Sequence, residues 1–199
     1  SLASITETLC VFVPKMSTKD ISDVMWGMGT LVRNRKRTLG VVSENVQTNY
    51  RAGGTSSIAS NNDETKLRHA LQTLLQVSVT TFHEKASLGG QAKGALKVSS
   101  VHLSKLLLGM GRLSGVGLTW ADLTQADSHS ADCVLDLVHQ GSIQGHLSGS
   151  NGQPLSNVLW SLAQVKANYW SFPASLQSSI AAAVYQECKD DTEFTDQAL

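Results

Sequence analysis

Neither sign of charge prevails in this chain of 199 residues. Lys and Arg number 16, Asp and Glu also 16, and only 16% of residues are charged. A chain so balanced exerts no global pull on nucleic acid or on an acidic substrate, so any anion it binds must meet a local cluster of cations. Cysteine is scarce too: Cys10, Cys133 and Cys188 lie far apart, are odd in number and include no CxxC pair. That pattern argues against a disulfide framework and points to reduced thiols in an intracellular compartment. No apolar run approaches the about 20 residues needed to cross a bilayer. There is no initiator Met and no recognisable targeting peptide at the start, so the chain is expected to begin inside a longer precursor. Its length suffices for one domain with a sizeable core.

What the chain does have is internal repetition. ISDVMWGMGTL (21–31), LSKLLLGMGRL (103–113) and LSNVLWSLAQV (155–165) align without gaps, and LRHALQTLLQV (67–77) is a weaker fourth copy. Positions one, four, five, eight and eleven are apolar in every copy, the stripe of an amphipathic helix. Ser17 and Asp20 have capping-box spacing ahead of the first copy, and Pro154 sits where a first-turn proline is tolerated.

Each copy precedes a candidate partner helix. Leu39, Val42, Val46 and Tyr50 share a face, as do Leu176, Ile180, Ala183 and Val184 beyond Pro173, and Val134, Leu135 and Val138 suggest a helix from near Ser130. Val79 and Phe82 hint at a partner for the 67–77 copy before Gly89 and Gly90 break the pattern. The copies start 46, 36 and 52 residues apart, and the longer intervals hold loop-like inserts near 51–65, 114–130 and 141–153. Residues 2–13 place Leu2, Ile5, Leu9, Phe12 and Val13 on one face, like a second helix without its first. FTDQAL (194–199) aligns with MSTKDI (16–21), so a fifth copy would start at Leu199. The expected architecture is all-α: an α-solenoid of about four helix-turn-helix hairpin repeats, with truncated repeats at both ends. Residues 1–199 would then be a single segment of a longer chain.

Position seven is Gly27, Thr73, Gly109 or Ser161, and position nine is Gly29, Leu75, Gly111 or Ala163. Glycine inside a helix costs about 1 kcal/mol relative to alanine. Small residues recurring there are expected to let a neighbouring helix approach closely, at Gly27 as at the others.

The stretch LSNVLWSLA (155–163) resembles the first helix of the octotricopeptide repeat, with VMWGMG (24–29) and LLLGMG (106–111) as looser versions. The 67–77 copy has Gln72 where the tryptophan would stand, and the proline-rich second-helix motif is reduced to FPASL (172–176). The resemblance implies a helical-hairpin solenoid that binds organellar RNA. That resemblance, the neutral charge with one basic run, and the truncated ends together favour a mitochondrial ribosome as the setting, with the chain as a structural rRNA-binding component beside neighbouring proteins. A transcript-specific factor for RNA stability, processing or translation is the alternative, in a mitochondrion or a chloroplast. Because such folds also serve as scaffolds, a protein-binding role without RNA stays open.

Within the repeats, variable polar positions are the candidates for recognition. Position three is Asp23, His69, Lys105 or Asn157, and position ten is Thr30, Gln76, Arg112 or Gln164. They lie two turns apart on one side of the helix, away from the apolar stripe. The RNA-binding set expected is Lys105, Arg112, Asn157 and Gln164, with Lys166 just past the last first helix. To these the run RNRKR adds Arg33, Arg35, Lys36 and Arg37, expected in the turn between a first helix and its partner. The plain alternative for all of them is solvated surface. Trp26 and Trp160, at position six, fit packing against a neighbouring repeat better than stacking on bases. Tyr169 and Trp170 fall in a turn and have no assigned role.

Nothing in the sequence points to catalysis. His129 and Cys133 are four apart, but no second tight pair completes a zinc site. No Ser-His-Asp grouping sits in a nucleophile-elbow context. The twice-repeated Gly-Met-Gly has no preceding strand and reads as helix packing, not a phosphate loop. The expectation is a protein that is not an enzyme and that needs no cofactor, no metal, no small-molecule substrate and no membrane.

Overall fold

A computed structural model describes residues 1–46, 57–88, 99–126, 128–147 and 152–190. Among them there are eight α-helices and no strand. The helices are α1 (Leu2–Phe12), α2 (Thr18–Val46), α3 (Ser57–Leu88), α4 (Ser100–Leu113), α5 (Trp120–Ala126), α6 (Ser128–Ile143), α7 (Gln153–Gln164) and α8 (Ala174–Asp190). They form two layers. In one, α2 packs along α4 and α4 along α7. In the other, α1 lies along α3, α3 along α6 and α6 along α8. The short α5 leans on α6.

The three strong copies account for the first layer. Leu103, Leu106, Leu107, Met110 and Leu113 of α4 are fully buried, and so is Val158 of α7. Each such side chain contributes roughly 1.5–3 kcal/mol of burial. The capping box ahead of the first copy forms: the Asp20 N–H donates to Ser17 Oγ at 3.2 Å, and the Ser17 N–H to Asp20 Oδ2 at 3.3 Å. A 2.6 Å bond from the Ser17 hydroxyl is the leading cause that holds the Asp20 carboxyl below its usual pKa.

Small residues set the spacing within this layer, and they do so directionally. A Cβ on Gly29 of α2 would meet the Gly109 oxygen at 2.8 Å, and one on Gly109 of α4 the Met25 carbonyl at 2.5 Å. A Cβ on Gly111 would meet Ser161 Cα of α7 at 2.7 Å. Position nine of one copy thus faces position seven of the next. Gly27 departs from the expectation. A Cβ there meets nothing within 4 Å, because none of the described helices packs against that side of α2. The same open side leaves Leu31 54% exposed, although its equivalents Leu113 and Val165 are buried.

Several other expectations are corrected. Residues 67–77 belong to α3, which packs with α1 and α6 and not in the row of the strong copies. The apolar stripe identifies any amphipathic helix, but Leu75 stands where that row needs a small residue. Val79 and Phe82 are buried in the same helix, not in a partner. Residues 39–46 continue α2 and start no new helix. Their side chains, Tyr50 and residues 194–199 lie outside the described residues. The insert at 114–130 carries a 3-10 turn, α5 and the start of α6. In α1, Ile5 and Phe12 are exposed and Thr6 is buried, so the apolar face expected there is only partly covered.

Candidate nucleic-acid interface

The run RNRKR lies inside α2, not in a turn, because Arg and Lys are good helix formers and nothing there breaks the helix. Residues two apart on a helix point to nearly opposite sides, and Arg33 and Arg35 accordingly part company. Arg35 borders a cleft shared with Glu7, Asp63 and Lys66, where carboxylates balance the cations. Arg33 lines a cleft at the far end of α4 and α7. The side chains of Lys36 and Arg37 lie outside the described residues.

Three of the repeat candidates turn out to join neighbouring helices. Lys105 Nζ of α4 donates to Asp23 Oδ1 of α2 at 2.7 Å, and Lys19 Nζ donates to the other carboxylate oxygen at 3.0 Å. These cations, Lys105 first, hold the Asp23 carboxyl down at a pKa of about 2. Asn157 Nδ2 of α7 donates to Ser104 Oγ of α4 at 2.9 Å, and Asn157 Oδ1 accepts from Gln153 Nε2 at 2.8 Å. Arg112 Nη1 donates to Thr30 Oγ1 of α2 at 2.7 Å, and its guanidinium carbon lies 5.4 Å from the Trp26 ring centroid. Position three of α4 and of α7 therefore reaches back to the copy before it, and position ten does so in α4. Asp23 with Lys105 and Thr30 with Arg112 are pairs of variable residues, whereas Asn157 meets Ser104, at a second position that is Ser in all three strong copies. The charge opposition of Asp23 and Lys105 is a signal that the sequence carried.

Arg112 has a second side. Its Nε is buried and has no hydrogen-bond partner among the described residues. Burial depresses its pKa, and the nearby positive charge of Arg33 depresses it further. Both arginines line a cleft of about 580 Å³ with Gly111, Ser114, Gly115, Trp160 and Gln164. No carboxylate among the described residues lines it. Trp160 is 40% exposed there and its counterpart Trp26 41%; what distinguishes them is that Trp26 carries Arg112 on its face, whereas the face of Trp160 borders the cleft. Gln164 is exposed.

Lys166 is exposed two residues further on, at φ +60°, the left-handed conformation that closes α7. Trp170 is 82% exposed beyond it, whereas the Tyr169 hydroxyl donates to Gln177 O at 3.0 Å. Sequence comparison missed Ser114 and Gly115, whose part in the cleft follows from where α4 ends and has no motif. The structure thus brings Arg33, Arg112 and Gln164 together with Trp160, and sets Arg35, Lys105 and Asn157 apart from them.

His129 Nε2 and Cys133 Sγ lie 3.7 Å apart. Among the described residues no three His, Cys, Asp or Glu side chains converge to hold a metal ion. None of the described helices is long and apolar enough to cross a membrane. Compared with protein-family models, curated proteins and solved structures, the chain matches none.

Proposed function

We propose that the two layers are a stretch of α-solenoid whose first-helix layer binds single-stranded RNA at the end marked by Arg33, Arg112, Trp160, Gln164 and Lys166. The observation that carries this reading is the segregation of charge. In a chain of zero net charge, two arginines share a cleft with an exposed tryptophan and, among the described residues, no carboxylate. Cations beside exposed aromatic faces are the ordinary means of holding a single strand, through phosphates and stacked bases. The resemblance to octotricopeptide repeats supplies the setting: organellar RNA, with a mitochondrial ribosome and its rRNA as the favoured context.

Fluorescence anisotropy with a labelled single-stranded RNA tests the reading. The protein should bind with an affinity that falls as salt rises, and Arg33→Ala should weaken it while Arg35→Ala does not. Absence of binding at low salt would defeat it. In organelle extracts the protein should co-sediment with intact ribosomes. Sedimentation apart from them would favour the transcript-specific alternative.

A second reading has its own support. Ile5, Val11 and Phe12 of α1 and Leu31 of α2 are large apolar side chains more than half or about half exposed. Such a surface suits neighbouring proteins, either in a ribonucleoprotein or in a scaffold that lacks RNA.

A further inference from the structure

We infer that the cleft among α2, α4 and α7 is a slot for one nucleotide of an RNA strand. Arg33 and Arg112 hold its phosphate, Trp160 carries its base, and the Gln164 amide meets the base edge. The inference rests on the RNA reading above and adds a place and a stoichiometry to it.

Arg112 is fixed before any ligand arrives. Thr30 holds Nη1 at 2.7 Å and the Trp26 ring lies beneath the guanidinium. Thr30 is itself fixed, since its hydroxyl donates to the Trp26 carbonyl at 2.8 Å. The Arg112 Nε–H is closed off from solvent, so what the guanidinium offers an oxyanion in the cleft is above all its positive charge, held in place on α4. Arg33 brings a second positive charge to the same space, with no carboxylate among the described lining residues to offset either. Two cations so placed repel each other until an anion lies between them.

The anion is more than bare phosphate because the cleft also offers a planar apolar wall and an amide. Trp160 stands 40% exposed on one side, and Gln164 lies one turn along the same helix. An indole face stacks on any base, and an amide side chain offers one donor and one acceptor to a base edge. The volume of about 580 Å³ falls within the usual range of small-ligand sites, about 300–1,000 Å³. A non-aromatic acidic peptide such as polyglutamate would satisfy the arginines but has no planar ring to lay on Trp160. A nucleotide uses all four residues.

Adenosine monophosphate, adenosine and inorganic phosphate are suitable probes, each competed against a labelled eight-nucleotide RNA on the full chain. The monophosphate should displace the RNA at concentrations at least tenfold below those of adenosine or phosphate alone, and should quench tryptophan fluorescence. Arg33→Gln should weaken the monophosphate and the RNA about tenfold. It should also reduce the slope of log affinity against log salt by about 0.7, one phosphate's share on a single strand. Trp160→Leu should abolish the quench and cost the RNA about tenfold, within the range of one lost base stack. It should leave phosphate competition unchanged, and Trp160→Phe should restore most of the affinity. Circular dichroism confirms that each variant is folded. RNA binding untouched by both Arg33→Gln and Trp160→Leu would overturn the slot and leave the RNA reading standing. No RNA binding, with polyglutamate binding lost in Arg33→Gln, would overturn both.

Discussion

Replacing Gly109 with alanine adds one methyl group at the tightest point between α2 and α4. Its position lies 2.5 Å from both the carbonyl carbon and oxygen of Met25 and 3.0 Å from the Trp26 nitrogen. All three are backbone atoms of α2, so no side-chain rotation relieves the overlap. Ordinary contact begins near 3.4 Å, so the helices must part by close to an ångström. Overpacking of this kind costs about 1–3 kcal/mol. Alanine returns about 1 kcal/mol through its better helix propensity. The net loss expected is about 0–2 kcal/mol, which for a chain of this size lowers the melting temperature by up to roughly 8 °C and leaves Gly109→Ala about 1–3 kcal/mol below a glycine-to-alanine change that meets no neighbour. Gly27→Ala is the matched control. It gains the same propensity and meets no neighbour within 4 Å, so its melting temperature should rise by roughly 2–4 °C. Thermal unfolding followed by circular dichroism at 222 nm reads both. A Gly109→Ala protein as stable as Gly27→Ala would refute the claim that glycine backbone contact sets the helix spacing.

Three further outcomes follow from the same geometry. The folded-state pKa of Asp23, about 2, lies below its unfolded value, so its pairing stabilises the fold above the unfolded pKa and ceases to do so as pH falls towards 2. The gap in urea midpoint between the native protein and Asp23→Asn should therefore be widest near pH 5 and close by pH 2. A gap independent of pH would contradict the pairing with Lys105 and Lys19. Lys166→Gly should stabilise the protein by about 1 kcal/mol, because glycine adopts the left-handed φ of +60° without strain, and a lower melting temperature would count against that. Lys105→Gln should lower the urea midpoint but leave RNA affinity unchanged, since its ammonium is held by Asp23 at 2.7 Å. Weaker RNA binding by a fully folded Lys105→Gln would show that the ammonium serves the RNA instead.

The first-helix layer was legible because three gapless copies share both an apolar stripe and small residues at fixed places. The glycines then explained one another: Gly29 meets Gly109, and Gly111 meets Ser161. Gly27 misled because sequence alone does not show which copy has an empty side. The second layer was harder to read. The helix α3 carries the stripe of a first helix, and what betrays it is Leu75 where position nine needs a small residue and Gln72 where the tryptophan would stand. The long α2 was divided into two because RNRKR looked like a solvated turn, although its residues favour a helix over any turn type.

Among the site residues, Lys105 and Asn157 sit on the side of the helix that sequence assigned to them. That side borders the neighbouring helix, and polar residues there find partners before they reach solvent. Arg112 does both, bonding back to Thr30 while bordering the cleft. Arg33 and Gln164 are far apart in sequence, and only the stacking of α2, α4 and α7 brings them to one place. The part of Trp160 depends on what does not cover it, which no pattern of residue types records.

Photo-crosslinking of bound single-stranded RNA, followed by mass spectrometry of the crosslinked peptides, tests the central claim most directly. The account predicts crosslinks on Trp160 or its neighbours in α7 and on the Arg33 segment of α2. Crosslinks confined to α3, α6 and α8 would contradict it, as would none under conditions where RNA is shown to be bound.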